Sequence, residues 1–169
     1  MGRMVSLQAI VKQLGKGDGS MEIREAVQSD LSEIVRLLAD DELGATRERY
    51  EDPLPQAYLD AFSDIQRQFG NSVLVAVDHD KVIGCLQLTI IPGLARLGMK
   101  RAQIEGVRVD REYRSQGIGE ALFRHAIELA REQGCGLVQL TTDKSRPDAH
   151  RFYDRLGFVR SHEGMKLSL

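Results

Sequence analysis

The feature that most constrains this chain is residues 104–122, IEGVRVDREYRSQGIGEAL, where an apolar strand runs into a charged turn, a glycine pair and the start of a helix. In Arg114-Ser115-Gln116-Gly117-Ile118-Gly119 the two glycines stand where turn becomes helix. Successive backbone N–H groups can then point into one concavity with no Cβ in the way. Such a concavity favours an anion, because the first-turn amides of a helix are unpaired and its macrodipole is positive there. Arg114 adds a full charge, so a phosphate-bearing ligand is the natural guest. Two well-known phosphate sites are excluded. A dinucleotide fold wants a third glycine where Leu122 stands and an acidic residue about 20 residues further on, and a P-loop wants Gly-Lys-Ser/Thr. Spacing alone also suits a tight turn with no ligand.

Around this stretch the chain alternates strands and helices. Residues 21–27 read as a first strand, and Asp30 with Glu33 as a capping box opening a helix striped by Leu31, Ile34, Val35 and Leu38, which should stop by Gly44. A second helix is expected from Pro55, with Tyr58, Phe62 and Ile65 on one face. The acidic connection between them carries Asp40, Asp41, Glu42, Glu48, Glu51 and Asp52, which suits either a solvated loop or the attraction of a cationic amine. Residues 73–77 and 82–91 are β-branched runs joined at Asp78-His79-Asp80-Lys81, a hairpin with His79 as a turn residue. After a loop from Pro92 to Lys100 comes the strand 102–109. Helix 117–133 turns Ile118, Ala121, Leu122, Leu129 and Ala130 inward and a charged stripe outward; Gly134 ends it. A strand at 137–141, a helix at 147–156 stopped by Gly157, and closing strands at 158–160 and 165–169 complete the pattern.

That order predicts a single α/β domain with a mixed, mostly antiparallel sheet of about six to seven strands flanked by about four helices. The domain is expected to span residues 21–169. Residues 1–20 form a separate arm, with a glycine-rich end and Leu7, Ile10, Val11 and Leu14 at helical spacing, able to dock on the domain or on a second copy in a homodimer. A chain of 169 residues at 42% hydrophobic and 28% charged has room for one ordinary core. A net charge of −2 argues against a nucleic-acid partner, and no apolar run is long enough for a membrane span. Two cysteines, Cys85 and Cys135, are too few for a disulfide framework and read as buried thiols in a reducing cytoplasm. Nothing pairs His125 and His162 as metal ligands.

Three stretches together resemble the GNAT superfamily of N-acetyltransferases. Arg114, Gly117 and Gly119 match its Arg/Gln-x-x-Gly-x-Gly/Ala pyrophosphate pattern, Glu105-Gly106-Val107-Arg108-Val109-Asp110 is similar to the strand before it, and 149–158 resembles its second motif, ending in Tyr153-x-x-x-Gly157-Phe158. The resemblance covers residues 21–169. It implies acetyl transfer from acetyl-CoA directly to a primary amine of a small molecule or peptide. The backbones of Val107 and Val109 would pair with the acetyl and pantetheine amides, and Arg114, Ser115, Gln116, Gly117, Ile118 and Gly119 would hold the diphosphate. Many relatives carry Asn seven residues before the tyrosine, and here Arg146 stands instead.

The chemistry sets two demands. An alkylamine of pKa near 10.4 is neutral only to about 0.04% at pH 7, a penalty of roughly 4.6 kcal/mol, so a base is required, directly or through water. The departing thiolate also needs a proton. By position in the matched motifs, Glu105 is the candidate base and Tyr153 the candidate acid; each has a plain structural alternative, Glu105 as a strand-end carboxylate paired with Arg101 or Arg108 and Tyr153 as a space-filling helix residue. His150 reads as a surface residue. A different class of function also fits, a catalytically silent acyl-CoA-binding or sensing module. The acceptor pocket would be built by residues 38–55 and the loop near 161–164, neither of which carries a recognisable signature.

Overall fold

The computed structural model describes residues 21–40 and 44–169; the expectations for the arm, and for Asp41 and Glu42, lie outside the described residues. The elements run β1 (Glu22–Glu25), α1 (Leu31–Ala39), α2 (Gln56–Arg67), β2 (Asn71–Asp78), β3 (Lys81–Ile91), α3 (Ala95–Gly98), β4 (Lys100–Val109), α4 (Ile118–Glu132), β5 (Cys135–Leu140) and α5 (Pro147–Arg155). The strands form one sheet in the order β1-β2-β3-β4-β5. All neighbours are antiparallel except β4 and β5, the one parallel pair, joined by the crossover helix α4.

Both faces of the sheet are covered, which is why the central strands read as nearly unbroken apolar runs. On one face α4 sets Ile118, Leu122, Phe123, Ala126 and Ala130 against Leu74, Ala76, Ile83, Leu86, Leu88, Ala102 and Ile104. On the other, Leu31, Ile34, Val35 and Leu37 of α1 and Phe62 of α2 pack on Val75, Val77, Val82 and Cys85. Phe123 and Ala126 are wholly buried although the inward stripe expected from sequence omitted them. Cys85 is buried and Cys135 partly so, both free; burial pushes the Cys85 thiol up to about 12 and Cys135 also upward, so neither thiol is poised to react.

Several expectations are corrected. Among the described residues five strands form rather than six to seven, because residues 158–160 and 165–169 join no strand. The alternation of Met165, Leu167 and Leu169 has the strand period, but all three are exposed and no neighbouring backbone supplies a ladder of hydrogen bonds. Among the described residues the α-helices number five, the extra one being the single turn α3 inside the loop, where Arg96 and Leu97 hold φ of 54° and 59°. The Asp30–Glu33 capping box is absent too. Asp30 instead accepts from the Val27 amide at 2.8 Å and pairs with Arg24 at 2.6 Å, while Glu33 pairs with Arg36 at 2.9 Å. The expected β2–β3 hairpin forms with His79 in its turn, and both His79 and Asp80 prove left-handed, at φ 45° and 65°.

Candidate active site

The site is built where β4 leaves β5. Pairing between them runs only from Lys100–Cys135 to Ile104–Leu140. A bulge follows at once, with Gly106 at φ 61° and the register to β3 shifted between Cys85 and Gln87. Beyond it the Asp110 amide donates to Ile83 O at 2.8 Å, so residues 108 and 110 point their backbone groups at β3, and Val107 and Val109 point theirs at the gap. The two carbonyls on that open edge are engaged by guanidinium groups: Arg108 donates to Val107 O at 2.8 Å and Arg114 to Val109 O at 3.2 Å. Glu105, just before the bulge, is exposed and makes no ion pair or hydrogen bond among the described residues, which removes its expected pairing with Arg101 or Arg108 as the plain alternative.

At the far end of the open edge lies the turn 114–119. Ser115 sits at φ 62° and Gly117 at 84°, with Gln116 between them on the ordinary negative side. This alternation of sign makes successive amides converge instead of diverge. Among the described residues no amide from Ser115 to Gly119 donates to a protein acceptor, and the first helical bond is Ala121 N–H to Gly117 O at 2.9 Å. Gly117 serves its conformation, since a Cβ there would meet nothing within 4 Å. At Gly119 a Cβ would make ordinary contacts, 3.5 Å from the Phe152 ring and 3.6 Å from Val109, so neither space nor φ in the protein itself demands glycine there. The Ile118 side chain is buried in the core, so only its backbone faces the turn. The residues present therefore suit a diphosphate through main-chain groups, with Arg114 at the rim.

Asp110 anchors this turn, and the sequence reading passed over it. Its carboxylate is buried, caps the turn by accepting from Glu112 N–H at 3.0 Å, and pairs with Arg36 at 2.8 Å and Lys81 at 3.3 Å. Burial alone would push the Asp110 carboxyl up, but the Glu112 amide, Arg36 and Lys81 outweigh it and hold it below the usual carboxylate range. An aspartate ending an apolar strand before a tight turn is the signal that marks such a cap. Asp40 adds a second tie, 2.8 Å from Arg111 and 3.8 Å from Arg114. Much of the acidic connection is thus used internally. Glu48 accepts from the Tyr58 hydroxyl at 2.8 Å and Glu51 pairs with Arg49 at 2.8 Å.

Tyr153 sits on α5 within an aromatic cluster, its ring 5.6 Å from Phe123, 5.5 Å from Phe152 and 6.1 Å from Phe158. The spacing of its motif has a physical cause. Phe158 N–H donates to Tyr153 O at 3.0 Å and Gly157 N–H to Asp154 O at 3.1 Å, with Gly157 at φ 87°, which is the Schellman close of a helix with its accompanying apolar contact. The same four-residue step that stops the helix fixes the tyrosine ring. Burial pushes the phenol up, against the opposing fields of Arg146 and Arg108, so it stays protonated at neutral pH. His150 contacts the Asp143 carbonyl at 3.1 Å and braces the loop before α5.

A parallel βαβ unit with a splayed strand pair, a helix start whose amides converge and a protonated phenol fits a class: α/β transferases that hold an extended, phosphate-bearing donor along an open strand edge. The chain belongs to the Acetyltransferase (GNAT) family, whose defining pattern matches residues 35–158. It is similar to the glucosamine 6-phosphate N-acetyltransferase of Trypanosoma brucei brucei, 35% identical over 152 residues that cover 88% of this chain and 96% of that one. It also resembles the aminoalkylphosphonate N-acetyltransferase of Salmonella typhimurium, 30% identical over 141 residues, 83% of this chain and 86% of that one. A crystal structure of a protein from Bacillus halodurans C-125 described as a transcriptional regulator superposes with a TM-score of 0.86 at 52% identity, covering 88% of this chain and 99% of that one. The protein is accordingly an N-acetyltransferase with acetyl-CoA as donor and an amine as acceptor. Among the described residues no helix is long and apolar enough to cross a membrane.

Proposed function

We propose that the acceptor is a small-molecule primary amine, that Glu105 takes its proton, and that Tyr153 returns a proton to the departing thiolate. One observation carries this reading: β4–β5 pairing ends at Ile104, which leaves an open strand edge between an exposed, unpaired carboxylate and a cluster of converging amides. Acetyl-CoA supplies the thioester. The chain's part is to hold the diphosphate on the amides of 115–119 with Arg114 beside them, and to pair the Val107 and Val109 edge with the extended arm of the donor. Arg114 leaves the Val109 carbonyl as it turns to the phosphates. Glu105 then lies on the acceptor's side of the edge, where an anionic carboxylate both attracts an ammonium ion and offsets part of the roughly 4.6 kcal/mol needed to neutralise it at pH 7. Two relatives whose names specify small amines favour such an acceptor over a peptide. Residues 21–169 form the catalytic unit with 1–20 an appended arm, and two free thiols, one buried and one partly so, suit a reducing, cytoplasmic setting.

The test is thiol release from acetyl-CoA across amino sugars, polyamines, aminoalkyl acids and peptide N-termini. Glu105→Gln and Tyr153→Phe should each lower kcat by about 10² or more with coenzyme A affinity held within about twofold. Undiminished kcat in both would remove the two roles. A silent acyl-CoA sensor predicts coenzyme A binding with no transfer to any amine, and gives the unpaired Glu105 nothing to do.

A further inference from the structure

The sheet face that carries Glu105 holds a polar ladder that no packing requirement explains. Asn71, Thr89, Gln103 and Gln139 stand directly opposite one another across β2, β3, β4 and β5. In the adjacent row Gln87 stands opposite Glu105. Cross-strand neighbours share a face, so five uncharged polar side chains and the candidate base occupy one patch. It is the same face on which α1 and α2 cover Val75, Val77, Val82 and Cys85, but it lies toward the other end of the strands. A central sheet face that met only protein would be apolar.

The ladder satisfies only part of its own hydrogen-bonding capacity. Asn71 Oδ1 accepts from Gln87 Nε2 at 3.0 Å and from Thr89 Oγ1 at 3.1 Å, and Gln139 Nε2 donates to Gln103 Oε1 at 2.7 Å. Among the described residues these bonds leave the Gln103 amide donors and the Gln87 and Gln139 carbonyl acceptors unused. Donors and acceptors side by side, with Glu105 the one charge among these six residues and Arg101 in the next row, complement hydroxyl groups, each of which both donates and accepts. Scale agrees as well. Strands about 4.8 Å apart and two residues about 6.6 Å along β4 put the Gln103 and Gln87 amides within one sugar ring of the Glu105 carboxylate.

We propose that Gln87, Gln103 and Gln139 determine acceptor specificity by binding the hydroxyl groups of a polyhydroxylated amine, an amino sugar or amino polyol, whose nitrogen lies at Glu105. This rests on the placement of the acceptor beside Glu105. The experiment measures kcat/KM for glucosamine and for cyclohexylamine, rings of similar size with and without hydroxyls, in the wild type and in Gln103→Leu and Gln87→Leu. Taking the ratio of the two substrates in each protein cancels their different basicity and any general loss of activity. That ratio should fall about tenfold in each variant, the worth of one or two neutral hydrogen bonds. If Gln103→Leu does not fold, Gln139→Leu on the edge strand gives the same readout. A ratio within twofold of wild type in every folded variant overturns the ladder as a specificity device. Coenzyme A binding without transfer to either amine or to any other in the panel removes the acceptor reading beneath it, a result that cannot be confused with an unchanged ratio.

Discussion

Gly84 on β3 packs against the helix that opens from the 114–119 turn, and replacing it with alanine tests whether the sheet and the proposed diphosphate site are coupled. The added Cβ would lie 3.1 Å from the Arg108 carbonyl oxygen, 3.1 Å from Leu122 Cδ1 and 3.3 Å from Ile118 Cγ2. Carbon contacts settle at about 3.5–4.0 Å, so each neighbour must give by a few tenths of an ångström. The carbonyl belongs to β4 and is held by the ladder to Cys85, which leaves α4 as the part able to move. Ile118 and Leu122 occupy its first two turns, and lifting them tilts the amides of 116–119 away from a common focus. Overpacking of this kind costs about 1–3 kcal/mol. For a domain of this size that is a fall in Tm of roughly 2–4 °C per kcal/mol. Weakening one amide–phosphate contact should raise the Kd for coenzyme A about fivefold, near 1 kcal/mol. Thermal melts and calorimetric titration read the two effects separately. Gly84→Ala with a Tm within 1 °C of wild type would refute the packing, and a destabilised variant with unchanged affinity would refute the link from sheet to turn.

Two further variants probe the other supports. Gly157→Ala places a Cβ at φ 87° in the helix stop; it should cost about 1 kcal/mol and lower kcat several-fold through the Tyr153 ring, with the KM for acetyl-CoA little changed. A fall in affinity with kcat intact would contradict that assignment. Asp110→Asn removes a buried carboxylate whose titration is depressed in the fold, so its pairing stabilises the protein above the unfolded value near pH 4 and is lost as pH falls through the lower folded value. Urea titrations should therefore show the variant less stable at neutral pH by about 1–3 kcal/mol, because Arg36 and Lys81 remain partly solvated, with the gap closing in acid. A gap constant from pH 7 to pH 3 would show that Asp110 acts by shape alone.

What could be read from the sequence is what local chemistry dictates. Gly117 and Gly157 mark a helix start and a helix stop because few other residues tolerate φ near 85°, and both sit inside the matched motifs. The β4 strand, the α4 crossover and the hairpin at His79-Asp80 follow from apolar runs and turn residues. Features that depend on distant partners were hidden. Arg36 reaches Asp110 across 74 positions, and nothing near either residue announces the other. The strand pattern at 165–169 misled for the converse reason, since period-two alternation describes a side-chain arrangement but cannot supply a neighbouring backbone. Glu105 was legible as a carboxylate on the strand before the glycine turn, whereas its lack of an ion partner among the described residues emerged only once Arg101 and Arg108 had been placed.

The position of the site follows from topology as much as from motif. In an antiparallel sheet the carboxyl ends of successive strands alternate between the two ends of the sheet, so the loops leaving neighbouring strands do not converge. The β4–α4–β5 unit is the exception here, with both strands pointing the same way. Their carboxyl ends release the 110–119 turn and the 141–146 loop on one side, the arrangement that opens a crevice in parallel sheets. Pairing to β5 stops at Ile104, just before the bulge at Gly106 and five residues before β4 itself ends at Val109, which turns the crevice into a slot. An edge left open in the middle of a sheet is costly unless its polar groups are met, and Arg108 and Arg114 meet the two carbonyls. Each carbonyl is met by one guanidinium hydrogen bond and by no strand ladder, so on the proposed reading a donor's amides could take the place of the arginines without breaking the sheet.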